Sequence, residues 1–115
     1  MCFIASPAQT RKLRRRKRRI IGYKVVRNNR TSALGGASYL LGSVVVAQGC
    51  RVRQPSIGKK RRMRAGIYVY ATEAAAHDNL IGHNKALRVS YSPRDVLGVD
   101  VEGRLVCVTQ VKVLT

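Results

Sequence analysis

The sequence predicts an α+β fold: a single domain with a mainly antiparallel sheet of about six strands and one short helix, preceded by a basic N-terminal arm. A chain of 115 residues is long enough for one core and too short for two. Residues 9–19 hold one apolar residue, whereas 20–26, 39–47 and 105–114 are rich in Val, Ile, Leu and Tyr. Short runs rich in β-branched and aromatic residues are typical of strands.

We place the arm at residues 1–19 and the compact α+β domain at residues 20–115. Eight of the nine positions from 11 to 19 are basic, so the segment repels itself and stays open in water. Arg and Lys are good helix formers once neutralised, so the arm is expected to be disordered or to become helical on binding. Ser6-Pro7 marks a helix start, with Ser as the N-cap.

The first strand is predicted at residues 20–27, and residues 28–31 form its turn because Asn favours turn conformations. Two further apolar runs follow, at 39–41 and 44–47. Gly42-Ser43 lies between them and indicates either a tight turn or a bulge in one bent strand.

The next elements are a loop at 48–62, which contains Pro and Gly, and a strand at 63–71. Thr72 is expected to cap a short helix over 73–82, because a Thr side chain accepts a hydrogen bond from the first turn. A strand at 86–91 follows.

The last two strands are predicted at 95–101 and 104–114, as a hairpin around Glu102-Gly103. The final strand is apolar on both faces at first and on one face later. This pattern is typical of a strand that leaves a covered part of the sheet for its solvated end.

The charge distribution defines the class of partner. All five acids lie after residue 72, at Glu73, Asp78, Asp95, Asp100 and Glu102, and the bases that follow residue 72 balance them. The first 72 residues therefore carry the whole net charge of +18. A polycation of this kind predicts a polyanionic partner, above all nucleic acid.

Two groups of bases are candidate nucleic-acid contacts. The first basic cluster consists of Arg11, Lys12, Arg14, Arg15, Arg16, Lys17, Arg18 and Arg19. The second basic cluster consists of Arg51, Arg53, Lys59, Lys60, Arg61, Arg62 and Arg64. Each base that meets a phosphate releases a condensed counterion, and Arg also binds phosphates through two parallel hydrogen bonds. The alternatives are a solvated tail or localisation signal for the first cluster, and an exposed loop for the second.

Tyr68 and Tyr70 follow the second cluster and share one strand face, so they are candidate stacking platforms for bases. Packing against a loop or helix is the alternative for this pair.

We expect no enzymatic activity, no cofactor and no metal site. His77 and His83 would lie about 120° apart on a helix and do not share a ligand face. Three widely spaced cysteines without a C-x-x-C motif favour a reducing compartment. No apolar run approaches the roughly 20 residues that cross a bilayer. These observations predict a cytoplasmic protein.

Several short motifs, taken in order, resemble a known domain. They are Gly22-Tyr23-Lys24-Val25-Val26, then Gly42, then Gly66-Ile67-Tyr68-Val69, and finally the run from Val89 to Val99 that contains Pro93-Arg94-Asp95-Val96. Together they resemble a small, mostly uncharacterised phage-encoded domain, similar to the domain in phage rapid-lysis (rII B-type) proteins. The resemblance covers roughly residues 20–114 and implies a phage origin and a β-rich fold. It implies no activity and no site residues. Tyr68 stands where that family commonly has His.

The function predicted is that of a small phage or prophage accessory protein that binds nucleic acid without catalysis, RNA slightly more than DNA, in the cytoplasm of a bacterial host. One alternative is a phage-encoded inhibitor of a host nucleic-acid-processing defence complex (anti-CRISPR type), acting through protein or guide RNA. Another is a virion component that neutralises the packaged genome.

Overall fold

Within the described residues, seven short strands form one antiparallel sheet in the order β2-β7-β4-β1-β3-β6-β5. The structure, a computed structural model, describes residues 5–31, 38–47, 66–80, 82 and 84–115. In chain order its elements are α1 (Pro7–Arg14), β1 (Ile20–Val26), β2 (Val44–Val46), β3 (Ile67–Tyr70), α2 (Glu73–Asp78), β4 (Lys85–Tyr91), β5 (Val96–Val99), β6 (Leu105–Val108) and β7 (Gln110–Val113). A single 3-10 turn covers Pro93–Asp95, before β5.

Strand β1 organises the middle of the sheet. It pairs with β4 along its whole length, from Ile20 opposite Tyr91 to Val26 opposite Lys85. Its other edge pairs with β3, where Tyr23 lies opposite Tyr70. Since β3 and β4 are both antiparallel to β1, they run parallel to each other. Helix α2 joins them and therefore crosses over β1.

The sheet curls around its buried face. Only Thr109 separates β6 from β7, yet in the sheet these two strands lie on opposite sides of the β4-β1-β3 group. The two sides of the sheet must therefore approach each other where the chain passes from β6 to β7. One continuous bent stretch of chain thus pairs with β3 and β5 in its first half and with β4 and β2 in its second.

The core fills the inside of this curl and consists mainly of valine. Its fully buried members are spread over the sheet and include Val26, Val69, Val89, Val106, Val108, Val111 and Val113. Tyr39 and Tyr91 are the two large aromatic side chains buried with them. Because the described elements share this one core, they form a single domain, as predicted.

The structure confirms the mainly antiparallel sheet and the hairpin around Glu102-Gly103, since β5 and β6 pair across that turn. It has seven strands instead of about six because the segment predicted as one strand at 104–114 is divided at Thr109. Both parts are strands, but they pair with different neighbouring strands. The expected burial pattern is present: Val106–Val108 are buried on both faces, whereas Lys112 is exposed between buried neighbours.

The short helix lies where it was expected but is shorter than the predicted 73–82. Thr72 caps it, because the Thr72 side chain accepts a hydrogen bond from the Ala75 amide at 3.2 Å. At the other end, the Asn79 side-chain amide donates to the Ala75 carbonyl at 2.7 Å and ends the helix. Most of the loop predicted at 48–62 lies outside the described residues, since only residues 38–47 and 66–80 are described on either side of it.

Candidate nucleic-acid interface

Helix α1 contains the first part of the first basic cluster. It begins as predicted, with Ser6 as the N-cap and Pro7 at the first helical position. The Ser6 hydroxyl accepts a hydrogen bond from the Gln9 amide at 3.3 Å, and the Thr10 hydroxyl donates to the Ser6 carbonyl at 2.7 Å. The last turn contains three bases, which the negative end of the helix dipole stabilises. Local sequence therefore favours this helix at both ends.

The helix is attached to the edge strand β5. The Ser6 amide donates to the Val99 carbonyl at 2.6 Å, and the Val99 amide donates to the Thr10 hydroxyl at 3.0 Å. Leu13, which is the apolar residue within the basic run, packs against the core. Residues 1–19 were predicted as an arm that is disordered or becomes helical on binding. In the structure, Pro7–Arg14 of this segment are helical and contact the sheet.

The bases of the first cluster are accessible to solvent. Arg11, Lys12, Arg14, Arg15, Arg16, Lys17, Arg18 and Arg19 are all exposed. Within the described part of the chain, none of them forms an ion pair with a carboxylate. Arg19 is fixed to the sheet, because its guanidinium donates to the Ser90 hydroxyl and to the Ser90 carbonyl, both at 3.2 Å. Unpaired cations at this density produce a strong positive potential.

Within the described residues, the five carboxylates have partners outside the first basic cluster. Glu73 lies 3.5 Å from His77, and Arg104 lies 3.7 Å from Asp78 and 3.8 Å from Glu102. The other two carboxylates stabilise turns. Asp95 accepts from the Ser92 amide and the Thr109 hydroxyl, and Asp100 accepts from the Arg104 amide. None of these contacts involves a base of the first cluster.

Two cations in the second half of the chain lie next to the anchored Arg19, and the sequence analysis missed them. Lys112 lies directly opposite Ser90 in the register, and Arg88 lies two residues before Ser90 on the same strand. Residues related in these two ways share one face of a sheet, and both side chains are exposed. The alternating residue pattern of β4 and β7 is enough to place Arg88 and Lys112 on a solvent-exposed face. They were overlooked because the acids and bases after residue 72 balance each other, so this half of the chain has no net charge.

The second basic cluster lies outside the described residues, as does His83. A joint basic face made by the two clusters therefore stays a prediction.

Tyr68 and Tyr70 share a strand face, as predicted, and alternate with the buried Ile67 and Val69. Both tyrosines are half-buried, and Tyr70 lies opposite Tyr23 of β1. Burial, together with the nearby Cys107 thiol, raises the pKa of Tyr68. Because both rings are only partly exposed, the structure does not decide between base stacking and packing, and base stacking stays a prediction.

Among the described residues, no three His, Cys, Asp or Glu side chains meet in a way that could hold a metal ion. Neither α1 nor α2, the two α-helices of the described ranges, is long and apolar enough to span a membrane. Comparison with known proteins finds no matching family model, no matching curated protein and no matching solved structure.

Proposed function

We propose that this protein binds nucleic acid through the first basic cluster, without catalysis, and that RNA is bound somewhat better than DNA. The observation that carries the proposal is the separation of charge. Eight exposed bases lie together on and after α1, and in the described structure none of them forms an ion pair with a carboxylate. A surface of this kind attracts phosphates by releasing counterions, mainly without reading base sequence.

Arginine is the main reason to favour RNA. Six of the eight bases in the cluster are Arg. The planar guanidinium binds phosphate through two hydrogen bonds and stacks on exposed bases. Arg88 and Lys112 extend the proposed surface from Arg19 onto the sheet, and the second basic cluster is proposed as a further contact.

A salt series tests the proposal. Binding of the protein to RNA and DNA of unrelated sequence, followed by mobility shift, should weaken steeply as salt is raised. The expected slope is roughly 0.7 log units per phosphate contact on single strands and 0.9 on duplex DNA. Binding that is independent of salt, or no binding to either polymer at low salt, contradicts the proposal.

A second candidate function is inhibition of a host nucleic-acid-processing defence complex through protein contacts. A specific observation favours it: Leu40, Leu41, Val44 and Val46 are exposed on and before the edge strand β2. Exposed apolar groups beside the outermost strand of the described sheet are typical of protein-binding surfaces. A pull-down from host cells separates the candidates, because a protein partner survives nuclease and high salt whereas a nucleic-acid partner does not.

The cellular setting belongs to the same proposal and rests on the resemblance to phage domains alone. On this view the protein acts in the cytoplasm of a bacterial host. A role in the virion predicts co-purification with phage particles, which an accessory protein of the infected cell does not show.

A further inference from the structure

Helix α1 contacts the rest of the domain along one narrow stripe. The half-buried residues of this segment recur at the spacing of a single helical face: Ser6, Gln9, Thr10 and Leu13. Strand β5 and the 3-10 turn pack against the helix. The remaining positions of α1 are exposed. The helix therefore forms a ridge on the surface, with a crest opposite the stripe and a flank on either side.

Bases occupy the crest and both flanks of this ridge. Each residue of an α-helix turns the chain by about 100°, so Arg11 and Arg15 lie about 160° from Leu13, on the crest. Arg15 keeps helical backbone angles as the C-cap, at φ −78° and ψ −13°. Lys12 and Arg14 precede and follow Leu13, so they lie about 100° from it in opposite directions, one on each flank. All four basic side chains are exposed.

A ridge of this shape is complementary to a groove with phosphates on both sides. Cations on two flanks can meet the two phosphate strands of a duplex at once, whereas a lone strand meets the crest and one flank. An α-helix with its side chains is about 10–12 Å across, which matches the width of an open major groove, about 12 Å in B-form DNA. The arrangement of the bases therefore favours the major groove of a duplex.

Arginine narrows the choice of duplex. Three of the four bases on the ridge are Arg, and a guanidinium stacks on an unpaired base as well as binding phosphate. The major groove of a regular RNA duplex is deep and narrow, so it does not admit a helix. An unpaired bulge opens that groove and supplies an unstacked base. A fully paired DNA duplex has the open groove but no unpaired base.

We propose that α1 enters the major groove of an RNA duplex at a bulge, with Lys12 and Arg14 on the phosphates of opposite strands and Arg11 or Arg15 stacked on the unpaired base. The inference rests on the proposed function and specifies the RNA structure that the first basic cluster binds. The helix is already formed and attached to β5 in the protein alone, so binding does not have to order it.

The test measures binding of the full chain by fluorescence anisotropy to four probes of matched length. They are an RNA duplex with a central bulge, the same duplex fully paired, the DNA duplex of that sequence, and one RNA strand. We expect the bulged duplex to bind most tightly, roughly tenfold more tightly than the paired RNA duplex. A DNA duplex that binds as tightly as the bulged RNA, or more tightly, overturns the choice of RNA.

A pair of charge-matched variants tests the two flanks. Lys12→Gln with Arg14→Gln removes both flank cations, and Arg27→Gln with Lys85→Gln is the control at the far end of β1. On the bulged duplex the flank variant should lower the slope with salt by two contacts, roughly 1.4–1.8, and on the single strand by at most one contact, roughly 0.7. The control should leave both slopes unchanged. A loss of two contacts on the single strand as well contradicts the two-sided contact.

Chemical modification locates the contact on the RNA. Dimethyl sulfate methylates the N7 atom of guanine, which lies in the major groove. Bound protein should protect the guanines beside the bulge. If all four probes bind equally, with a steep salt slope and no protection of N7, the inference is wrong and the proposed function stands. If no probe binds at low salt, the proposed function itself fails.

Discussion

Gly22 allows the central strands to approach one another closely. A Cβ atom at this position would collide with Val69 Cγ1 and lie 3.2 Å from both the Tyr70 carbonyl oxygen and Tyr91 Cε1. Neither the backbone oxygen nor the buried side chains can move away easily. We expect Gly22→Ala to lower the free energy of unfolding by about 1–3 kcal/mol, as overpacking usually does. Urea denaturation measures it.

The control for this prediction is Val44→Ala on the edge strand, where the side chain is exposed and the expected change is about 0.5 kcal/mol or less. If Gly22→Ala is as stable as the unmodified protein, the close packing of β1 against β3 and β4 is incorrect.

Lys24 is a half-buried cation without a carboxylate partner in the described structure. Its ammonium donates to the Tyr68 carbonyl at 3.2 Å and lies 5.8 Å from the centre of the Tyr39 ring. Burial lowers the pKa of Lys24 to about 8, although the neighbouring Cys107 thiol acts in the opposite direction. Burial likewise raises the pKa of Cys107 to about 11, with Lys24 opposing.

These shifts predict how stability depends on pH. Above pH 8 the folded protein gives up the Lys24 proton, whereas the unfolded chain keeps it to about pH 10, so the unfolded state binds more protons. Lys24 alone should therefore raise the free energy of unfolding by about 1 kcal/mol between pH 7 and pH 9. From about pH 8 the raised pKa of Cys107 opposes this rise and makes the net rise smaller, because the unfolded thiol ionises around its ordinary pKa of 9.0 whereas the folded thiol stays protonated. Lys24→Met should be more stable at pH 7 and should lose the rise.

Lys112→Met, at an exposed position of β7, is the control and should retain the pH dependence of the unmodified protein. Urea unfolding at pH 7, 8 and 9 gives all three profiles. A stability that is flat or falling over this range in the unmodified protein would show that Lys24 is not buried as described.

The sequence could not have predicted the environment of Lys24. A charged residue between Tyr23 and Val25 fits the solvent side of an alternating strand. Gly22 and Val26, which share its face, are buried. The Lys24 side chain is partly buried because Tyr39 and β3, which are distant in sequence, pack against it.

At the scale of the element, one hydroxyl contributes to the attachment of α1 to the sheet. Thr10 joins the helix to β5, because its hydroxyl donates to the Ser6 carbonyl and accepts from the Val99 amide. Thr10→Val keeps the shape but leaves the amide of the buried Val99 without its partner, at a cost of about 1–3 kcal/mol. We expect faster hydrogen exchange of the α1 amides and little change in β1 and β4. Thr10→Ser keeps the hydroxyl and should protect α1 normally. Equal protection in Thr10→Val would contradict the attachment.

Several elements were predictable because their signals are local. Ser6-Pro7 marked the start of α1, Thr72 the start of α2, and Glu102-Gly103 the turn between β5 and β6. The division of the last strand at Thr109 was not predictable. Its two halves have one continuous apolar pattern, and the division arises from which strands they pair with. Strand partners are set by long-range packing, which the local pattern does not encode.

For the whole molecule, the uneven distribution of charge was evident from the sequence, but its arrangement in space was not. The order of residues gave no sign that Arg104 would hold both Asp78 and Glu102. It also did not indicate that Leu13 would pack against the core and so attach the basic segment to the domain. Exposed bases gathered beside α1 and Ser90 are therefore a property of the fold as well as of the composition.

The central claim is that the exposed first cluster binds a polyanion, and a pair of charge-matched variants tests it most directly. Arg15→Gln with Arg18→Gln removes two exposed cations from the cluster. Arg27→Gln with Lys85→Gln removes the same charge at the far end of β1, where Lys85 lies opposite Val26. Mobility shifts on single-stranded RNA over a range of salt give the slope for each variant. We predict that the first variant lowers the slope by roughly 1.4, at about 0.7 per lost contact, and that the second leaves it unchanged. Equal slopes in the two variants would contradict the account.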